Sequence, residues 1–405
     1  MKKGIALCVM ILMMLSVALP VFAEVEVEDA GIYEKFKGQN ITVNVYNWGE
    51  YIADGTDGAM DVNAEFEELT GIKVVYNTFP TNEELYAKLK NGSVQYDVII
   101  PSDYMINRMI AEDMLLPLDY VNIPNAQYVM DEFLNLEFDP RNEYSIPYTW
   151  GLVGVFYNKE VVDKEDLGSW DLLWNEKYSG EILMFSNPRD AFGIAQKLLG
   201  ASFNSENKDE WDAALEKLIE QKPLVQVYVM DEIYDKMSGG EAAIGPYYCG
   251  DAKVLIEEND NIGFYFPKEG TNLFVDAMCI PSSARNKEAA ELYINFMLET
   301  EVGLANTDYI GYATPNQRVY DALDDDVKSD PIYYPDEATL ANTEVFQNLS
   351  PEMNEYVSQL WVNLMGTSAN GNNSAWMVIV LFIVAILLVV IVVISRRRKK
   401  KREEY

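Results

Sequence analysis

The chain has 405 residues, of which 49% are hydrophobic and none is histidine, and its formal net charge at pH 7 is −34. A composition this apolar excludes global disorder, and the length allows two domains. The absence of histidine excludes Ser–His and Cys–His nucleophile pairs and histidine metal sites, and the negative charge makes nucleic acid and anionic lipid poor partners.

The N-terminal segment predicts export of the chain. Lys2 and Lys3 precede a long apolar run that ends in Val21-Phe22-Ala23, which is the layout of a secretory signal peptide cleaved after Ala23. We therefore expect residues 1–23 to be removed and residues 24–39 to lead into the folded part of the mature chain.

The C-terminal segment predicts a membrane anchor. Residues 375–394 carry no charge over twenty positions, enough for a helix to cross a bilayer, and seven basic residues follow at 396–402. Under the positive-inside rule the tail, 395–405, stays in the cytoplasm, so the large middle part of the chain is expected outside the cell membrane. A polar linker at 366–374 would tether this part to the membrane. Without both end segments, the exported part holds 22 basic and 63 acidic residues, a net charge of −41 that attracts cations.

Strands and helices alternate in the first part of the mature chain. The predicted elements are a strand at 41–48, a helix at 61–70, a strand at 72–76, a helix beginning near 81 and a strand at 97–100. Gly71 ends the first helix, and Thr81 with Glu84 forms a capping box at the start of the second. Alternation of this kind is typical of a parallel α/β sheet.

Polar and aromatic residues cluster where two of these strands end. Trp48, Glu50 and Tyr51 follow the first strand, and Ser102 and Tyr104 follow the strand at 97–100. Because ligands of open α/β sheets bind beyond the carboxyl ends of the strands, we expect both clusters to line a ligand site.

The second half of the chain predicts another α/β unit. The predicted elements are helices at 190–199, 209–221 and 287–298 and a strand at 242–245 that leads into Tyr248 and Asp251. We therefore expect two lobes joined by several crossings, with a cleft between them. Lobe 1 is predicted to comprise residues 40–149 and 275–314, and lobe 2 residues 150–274 and 315–365.

Several kinds of chemistry lack their sequence signature. No phosphate-binding loop of the Walker type is present, and no dinucleotide fingerprint follows the first strand. Cys8 lies in the predicted signal peptide, and Cys249 and Cys279 are too few for a disulfide framework, so whether they pair stays open. The residue types leave glycoside hydrolysis by paired carboxylates open, although pairs are common among 63 acidic residues.

Six motifs occur in order along the exported part: YNWGEY, TGIKVVYNTFPTNEELYAKLKNG, YDVIIPSDY, YSIPYTWG, FPKEGTNLFVDAMCIP and IGYATPN. Over residues 40–365 this set resembles the bacterial spermidine/putrescine-binding proteins that feed polyamine ABC importers. The resemblance implies a two-lobed periplasmic-binding-protein fold, type II-like, that closes on a linear polyamine. It further implies a monomer that delivers its ligand to membrane permease subunits, without enzyme activity, cofactor, metal or nucleic acid.

The resemblance also assigns candidate ligand-binding residues. They are Trp48, Glu50, Tyr51, Ser102, Tyr104, Asn187, Asp190, Tyr248, Asp251, Phe274, Asp276, Tyr312 and Gln347. The chain departs from the family pattern at four positions. Gly49 stands where the family usually has Ser or Thr, and Asn187 replaces a carboxylate. Asp190 stands where Glu is common, and Tyr248 takes a position usually held by Trp.

The preferred polyamine stays open at this stage. Asp251 occupies a position that is acidic in putrescine-type relatives and a small hydroxyl in spermidine-type relatives, and Phe274 and Asn187 also favour the shorter diamine. Glu50 and Gln347 are more similar to the spermidine type.

The residue types suit a cationic ligand on physical grounds as well. Each desolvated ammonium needs a carboxylate partner, and ring faces provide apolar walls while attracting cations by about 0.5–2 kcal/mol per contact. For any single ring, however, core packing is the more common role. Three alternatives remain: another small cationic or amino-acid-like solute in the same fold, a surface glycosidase, and a purely structural surface protein.

Overall fold

The computed structural model describes residues 25–92 and 94–367, and within these ranges ten strands form a mixed sheet flanked by helices. The strands are β1 (Thr42–Trp48), β2 (Lys73–Phe79), β3 (Val98–Ile99), β4 (Ser145–Asn158), β5 (Ile182–Phe185), β6 (Val225–Val229), β7 (Ile244–Tyr248), β8 (Ile262–Tyr265), β9 (Thr271–Cys279) and β10 (Thr343–Glu344).

The helices lie between and after these strands. They are α1 (Ala30–Tyr33), α2 (Val62–Thr70), α3 (Asn82–Lys90), α4 (Asp103–Ala111), α5 (Pro188–Leu198), α6 (Lys208–Gln221), α7 (Ile233–Ser238), α8 (Cys249–Glu258), α9 (Lys287–Met297), α10 (Thr300–Ile310), α11 (Gln317–Ala322), α12 (Asp325–Ser329), α13 (Glu337–Leu340) and α14 (Pro351–Gly366). Short 3-10 turns occur at Glu34–Phe36, Thr56–Gly58, Tyr120–Asn122, Pro124–Tyr128, Asp131–Phe133, Lys164–Asp166, Trp170–Trp174 and Glu176–Tyr178.

Local capping signals place the first helices where the sequence predicts them. The Asp61 carboxylate accepts a hydrogen bond from the Ala64 backbone N–H at the start of α2, and Gly71 ends that helix with φ +72°, a value that favours glycine. The hydroxyl of Thr81 accepts from the Glu84 N–H at the start of α3. The predicted alternation of strands and helices in the first part of the chain is therefore confirmed.

Two parallel parts of the sheet are joined by long antiparallel strands. The strand order is β2-β1-β3-β9-β4-β7-β5-β6, with β8 beside β4 and β10 beside β9. β1 runs parallel to β2 and β3, and β5 runs parallel to β6 and β7, whereas β4 pairs antiparallel with β7, β8 and β9. The antiparallel pairing was not predicted, because it joins segments that lie 87 or more residues apart in the chain.

The apolar side chains form two cores, one on each side of the β4–β9 pair. The first contains Val43, Phe66 and Phe296, and the second contains Phe192 and Trp211. β4 passes from the first core to the second between Trp150 and Val153. The arrangement suits the expected two lobes, whose boundaries stay a prediction.

The predicted fold is wrong in one element, the C-terminal transmembrane helix. Within the described ranges no helix is both long and apolar enough to cross a membrane. The longest of them, α14, has sixteen residues, against about twenty that a span needs. The predicted span at 375–394 and the predicted signal peptide at 1–23 lie outside the described residues.

The two cysteines of the described chain are both buried and free. Cys249 begins α8, and its sulfur accepts a hydrogen bond from the Leu152 N–H, while Cys279 ends β9. The pairing that the sequence left open is therefore absent between them.

Gly154 provides a stability test of the second lobe. A Cβ at this position on β4 would lie 2.2 Å from Phe264 Cζ and 2.7 Å from the Tyr265 carbonyl oxygen. Because the carbonyl belongs to the paired strand β8 and cannot move aside alone, we expect Gly154→Ala to lower the free energy of unfolding by about 1–3 kcal/mol. Thermal and urea unfolding measure this loss. Gly366→Ala is the control, since nothing lies within 4 Å of its Cβ. An unchanged midpoint for Gly154→Ala would contradict the packing described here.

Candidate ligand-binding site

A narrow cavity lies between the two lobes, at the carboxyl ends of strands from both. Trp48 is the last residue of β1, and Ser102 lies after β3. Asn187 lies after β5, and Asp251 lies after β7. Asp276 on β9 also lines the cavity. The cavity has a volume of about 50 Å³. Ligands of α/β sheets bind at such strand ends, so the topology alone makes this cavity the candidate site.

The structure brings most of the predicted ligand residues to this cavity. Its lining includes Trp48, Tyr51, Ser102, Tyr104, Asn187, Asp190, Tyr248, Asp251, Phe274, Asp276 and Tyr312. Their contact with a ligand stays a prediction.

Two predicted residues do not line the cavity. Glu50 has φ +48° in the turn after β1, and its side chain is exposed. Gln347 is also exposed; its amide donates a hydrogen bond to Glu137 Oε2 at 2.7 Å and faces a separate cavity of about 890 Å³. Leu273 and Val275 of β9 line that second cavity, so it lies on the opposite face of the strand from Phe274 and Asp276.

The cavity is also lined by residues that the sequence analysis did not name as ligand-binding candidates. They are Gly49, Asn82, Asp103, Met230, Asp231, Tyr247, Asn272 and Phe346. Asp103 and Tyr247 lie next to predicted residues in the sequence. The expectation that ligands bind beyond strand ends could therefore have identified both of them. Asp231 follows β6, a strand that the sequence analysis did not predict.

Tyrosine hydroxyls hold the acids that come from the two sides of the cavity. Tyr51 donates to Asp276 Oδ2 at 2.6 Å, and Tyr248 donates to Asp190 Oδ2 at 2.9 Å. Asn187 caps the start of α5 and also donates to Asp190 Oδ2, at 2.7 Å. Hydrogen bonds of this kind fix the carboxylates in place and leave the ring faces to form walls.

Two further acids lie on the second lobe. Both Asp251 oxygens accept from tyrosine hydroxyls, Oδ1 from Tyr234 and Oδ2 from Tyr312. Asp231 Oδ1 accepts from the Tyr247 hydroxyl at 2.9 Å. Asp190, Asp231, Asp251 and Asp276 therefore each accept at least one phenol hydroxyl, whereas Asp103 accepts the backbone N–H groups of Tyr104 and Val275.

Aromatic rings separate the acids. The ring centres of Tyr51 and Tyr312 lie 5.1 Å apart, those of Phe274 and Tyr312 6.0 Å, and those of Tyr248 and Phe274 5.3 Å, all at steep interplanar angles. Tyr51 contacts Asp276 and Tyr312 contacts Asp251, so two adjacent aromatic rings lie between these two carboxylates.

Burial makes the carboxylates harder to ionise. Desolvation raises the pKa of Asp276 to about 6, that of Asp190 to about 7 and that of Asp251 to about 8. Neighbouring acids add to the effect, Glu83 and Asp276 at Asp190 and Asp231 at Asp251. At neutral pH, burial therefore favours the protonated form of Asp251 and, in part, of Asp190, whereas Asp276 is mostly ionised.

The protein balances the negative charge of the cavity only in part. No Lys or Arg lines the cavity. Arg189 packs beside it against the rings of Tyr104 and Phe346, with its guanidinium carbon 5.1 and 4.6 Å from their centres, and its positive charge acts to lower the pKa of Asp190 against the effect of burial. Asp276 Oδ1 and Trp48 Nε1 are buried without a hydrogen-bond partner among the described residues. Because buried polar groups are nearly always paired, these two atoms of the cavity are candidates for contact with a ligand.

Over most of its length the chain is similar to proteins named for polyamine binding. Residues 62–335 match the family model described as bacterial extracellular solute-binding protein. The chain is 36% identical over 306 residues to the spermidine/putrescine-binding periplasmic protein of Escherichia coli K12, which covers 75% of this chain and 86% of that one. It is 28% identical over 339 residues to the putrescine-binding periplasmic protein PotF of the same organism, covering 79% and 90%.

Solved structures agree with these relatives. The spermidine/putrescine ABC transporter substrate-binding protein PotD of Streptococcus pneumoniae is 37% identical to this chain and has a TM-score of 0.67. The match covers 80% of this chain and 99% of that one. The resemblance predicted from the six motifs is thus confirmed.

The raised pKa values predict how the empty protein responds to pH. The pKa values of Asp276, Asp190 and Asp251 in the folded protein lie above the value of about 4 in the unfolded chain. The folded protein therefore holds more protons than the unfolded chain between pH 4 and 8. By linkage, the free energy of unfolding should fall as pH rises from 5 through the folded-state pKa values to 8.5. Thermal unfolding without ligand over this range measures the slope.

A pair of variants isolates the cavity from the general acidity of the chain. Asp251→Asn should flatten the slope, whereas Asp235→Asn, on an exposed acid of α7 outside the cavity, should leave it unchanged. Stability that rises over this range, or a wild-type slope in Asp251→Asn, would contradict the account of the buried acids.

Proposed function

This chain belongs to the family of bacterial extracellular solute-binding proteins, and on that premise we propose that it binds a polyamine between its lobes and delivers it to the permease of an ABC importer. Members of the family bind solutes and are not enzymes, so the paired carboxylates are assigned to binding rather than to glycoside hydrolysis. The binding domain acts outside the cytoplasm.

The observation that carries the proposal is the unpaired carboxylate oxygen of Asp276 in a cavity without basic side chains. A buried carboxylate is stable as an anion only with a cation and hydrogen bonds beside it. The protein supplies the hydrogen bond from Tyr51 but no cation, so the ligand has to bring the positive charge.

The distribution of the acids favours a linear ligand with a charge at each end. Asp190 and Asp276 interact electrostatically in one group, and Asp251 and Asp231 in another. The rings of Tyr51 and Tyr312 stand between the groups. A chain of methylenes with ammonium groups at its ends matches this order, since rings suit methylenes and carboxylates suit ammonium groups.

The relatives support the same ligand class, because those with matching length are named for spermidine and putrescine. We further propose that this chain acts as a monomer and that the contact with permease subunits forms once the lobes have closed. Both statements are what the resemblance to the family implies. The cleft between the two lobes is the structural feature that suits them.

Asp276→Asn tests the cavity directly. Removing one partner of a buried charge pair costs about 3–5 kcal/mol, so the variant should bind putrescine and spermidine more than about a hundredfold more weakly. Isothermal calorimetry gives both dissociation constants. Asp325→Asn removes one negative charge from an exposed site on α12 and should bind as the wild type does.

The variant itself should remain folded, since it replaces a buried carboxyl that has one unpaired oxygen. Its thermal midpoint without ligand provides that check. Retained tight binding of both polyamines by folded Asp276→Asn would show that the ligand lies elsewhere.

Affinity should also depend on pH, in the direction that the acids set. Ammonium groups bind ionised carboxylates, and primary ammonium groups stay charged well above pH 8. Protons compete with the ligand at acids whose pKa is about 6 to 8, so affinity should rise from pH 5.5 to 8 and binding should release protons. Calorimetry in two buffers of different ionisation enthalpy counts the protons released. Binding without proton release across this range would refute the assigned role of the buried acids.

A further inference from the structure

Gly49 and Asp231 meet across the cleft. Gly49 follows β1 in the first lobe, and Asp231 follows β6 in the second. A Cβ built on Gly49 would lie 2.6 Å from Asp231 Oδ2, a distance that real Cβ contacts do not reach. The φ angle of Gly49 is not in the left-handed region, so the backbone does not require glycine here. A side chain at this position would have to displace the Asp231 carboxylate from its place.

The hydrogen bonds at this end of the cavity leave one carboxylate oxygen available. Asp251 already accepts a phenol on each oxygen, from Tyr234 and Tyr312. Asp231 accepts from the Tyr247 hydroxyl on Oδ1, whereas no donor within the described ranges reaches Oδ2. Oδ2 is also the atom that faces Gly49 across the cleft.

We propose that Asp231 contacts the ligand directly at the Asp251 end of the cavity, and that Gly49 is the residue that admits it. The inference rests on the proposed polyamine function and specifies the site further. One ammonium of a diamine lies against Asp231 Oδ2, and Asp251 adds charge and orients Tyr234 and Tyr312 from behind. Each end of the ligand then faces two carboxylates, Asp190 with Asp276 and Asp231 with Asp251.

The burial of Asp231 sets the size of the expected effect. Asp231 is exposed, unlike the buried Asp251 and Asp276, so solvent weakens its interaction with a cation. Tyr247 nevertheless fixes one oxygen, and the cavity confines the ligand beside the other. A hydrogen bond to a charged group at the lower end of the usual range corresponds to about tenfold in affinity.

The first experiment is calorimetry of 1,4-diaminobutane binding to wild type and Asp231→Asn. The amide has the shape of the carboxylate and can still accept from Tyr247, so only the charge is lost. We expect about tenfold weaker binding in Asp231→Asn and less than a twofold change in the matched control Asp235→Asn. Asp235 lies four residues further along, is exposed and does not line the cavity.

The second experiment tests the pairing of the two residues. In Gly49→Ser the new Cβ must displace the Asp231 carboxylate, so this variant should also bind about tenfold more weakly. In the double variant Gly49→Ser/Asp231→Asn, the losses should not multiply, because both changes remove the same contact. Thermal midpoints without ligand confirm that every variant is folded.

The outcomes separate this inference from the function on which it rests. Equal affinities for Asp231→Asn and Asp235→Asn, or losses that multiply in the double variant, overturn the role of Asp231 while wild-type binding stands. Failure of wild type to bind 1,4-diaminobutane or spermidine overturns the proposed function itself.

Discussion

Burial of carboxylates in a cavity that no Lys or Arg lines is the constraint on which the whole site depends. Asp190, Asp251 and Asp276 are buried between the lobes. An isolated buried anion is unstable, so phenol hydrogen bonds stabilise these groups and burial raises their pKa values. In the function proposed above, a ligand with several ammonium groups supplies the positive charge that these carboxylates need. The cost of burying the carboxylates as anions would then favour a cationic ligand over a neutral one.

The two-lobed architecture determines where these acids can meet. Asp276 lies on β9, which joins the cores, whereas Asp190, Asp231 and Asp251 follow strands of the second lobe. Their partners Tyr51 and Tyr312 belong to the first core, so hydrogen bonds such as that from Tyr312 to Asp251 already cross the cleft. Hinge closure of the lobes around a ligand would therefore assemble the cavity. The close approach of Gly49 and Asp231 is another contact across the cleft.

The sequence predicted those parts of the structure that depend on local signals. Helices α2 and α3 begin and end at capping residues, and β1 and β3 end at visible polar clusters. The long β4–β9 pairing has no local signal, since its partners are distant in the chain. In the site, alignment to a family indicated residue identity but not side-chain direction: Glu50 turns to solvent at φ +48°, and Gln347 faces the other side of β9. Asp231 was missed because nothing in its neighbourhood marks it until the opposite lobe brings Gly49 against it.

A panel of four ligands tests the central claim most directly. The thermal midpoint of the wild-type protein is measured at fixed protein and ligand concentrations with spermidine and with three shorter ligands of matched chain length, 1,4-diaminobutane, n-butylamine and 1,4-butanediol. A ligand that binds only the folded state raises the midpoint, and the stabilisation grows with the logarithm of the ligand concentration divided by Kd. The account predicts large shifts with spermidine or the diamine, a small shift with the monoamine and none with the diol, which has the same length without charge. A midpoint that no polyamine raises, or one that the diol raises as much as the diamine, would contradict it.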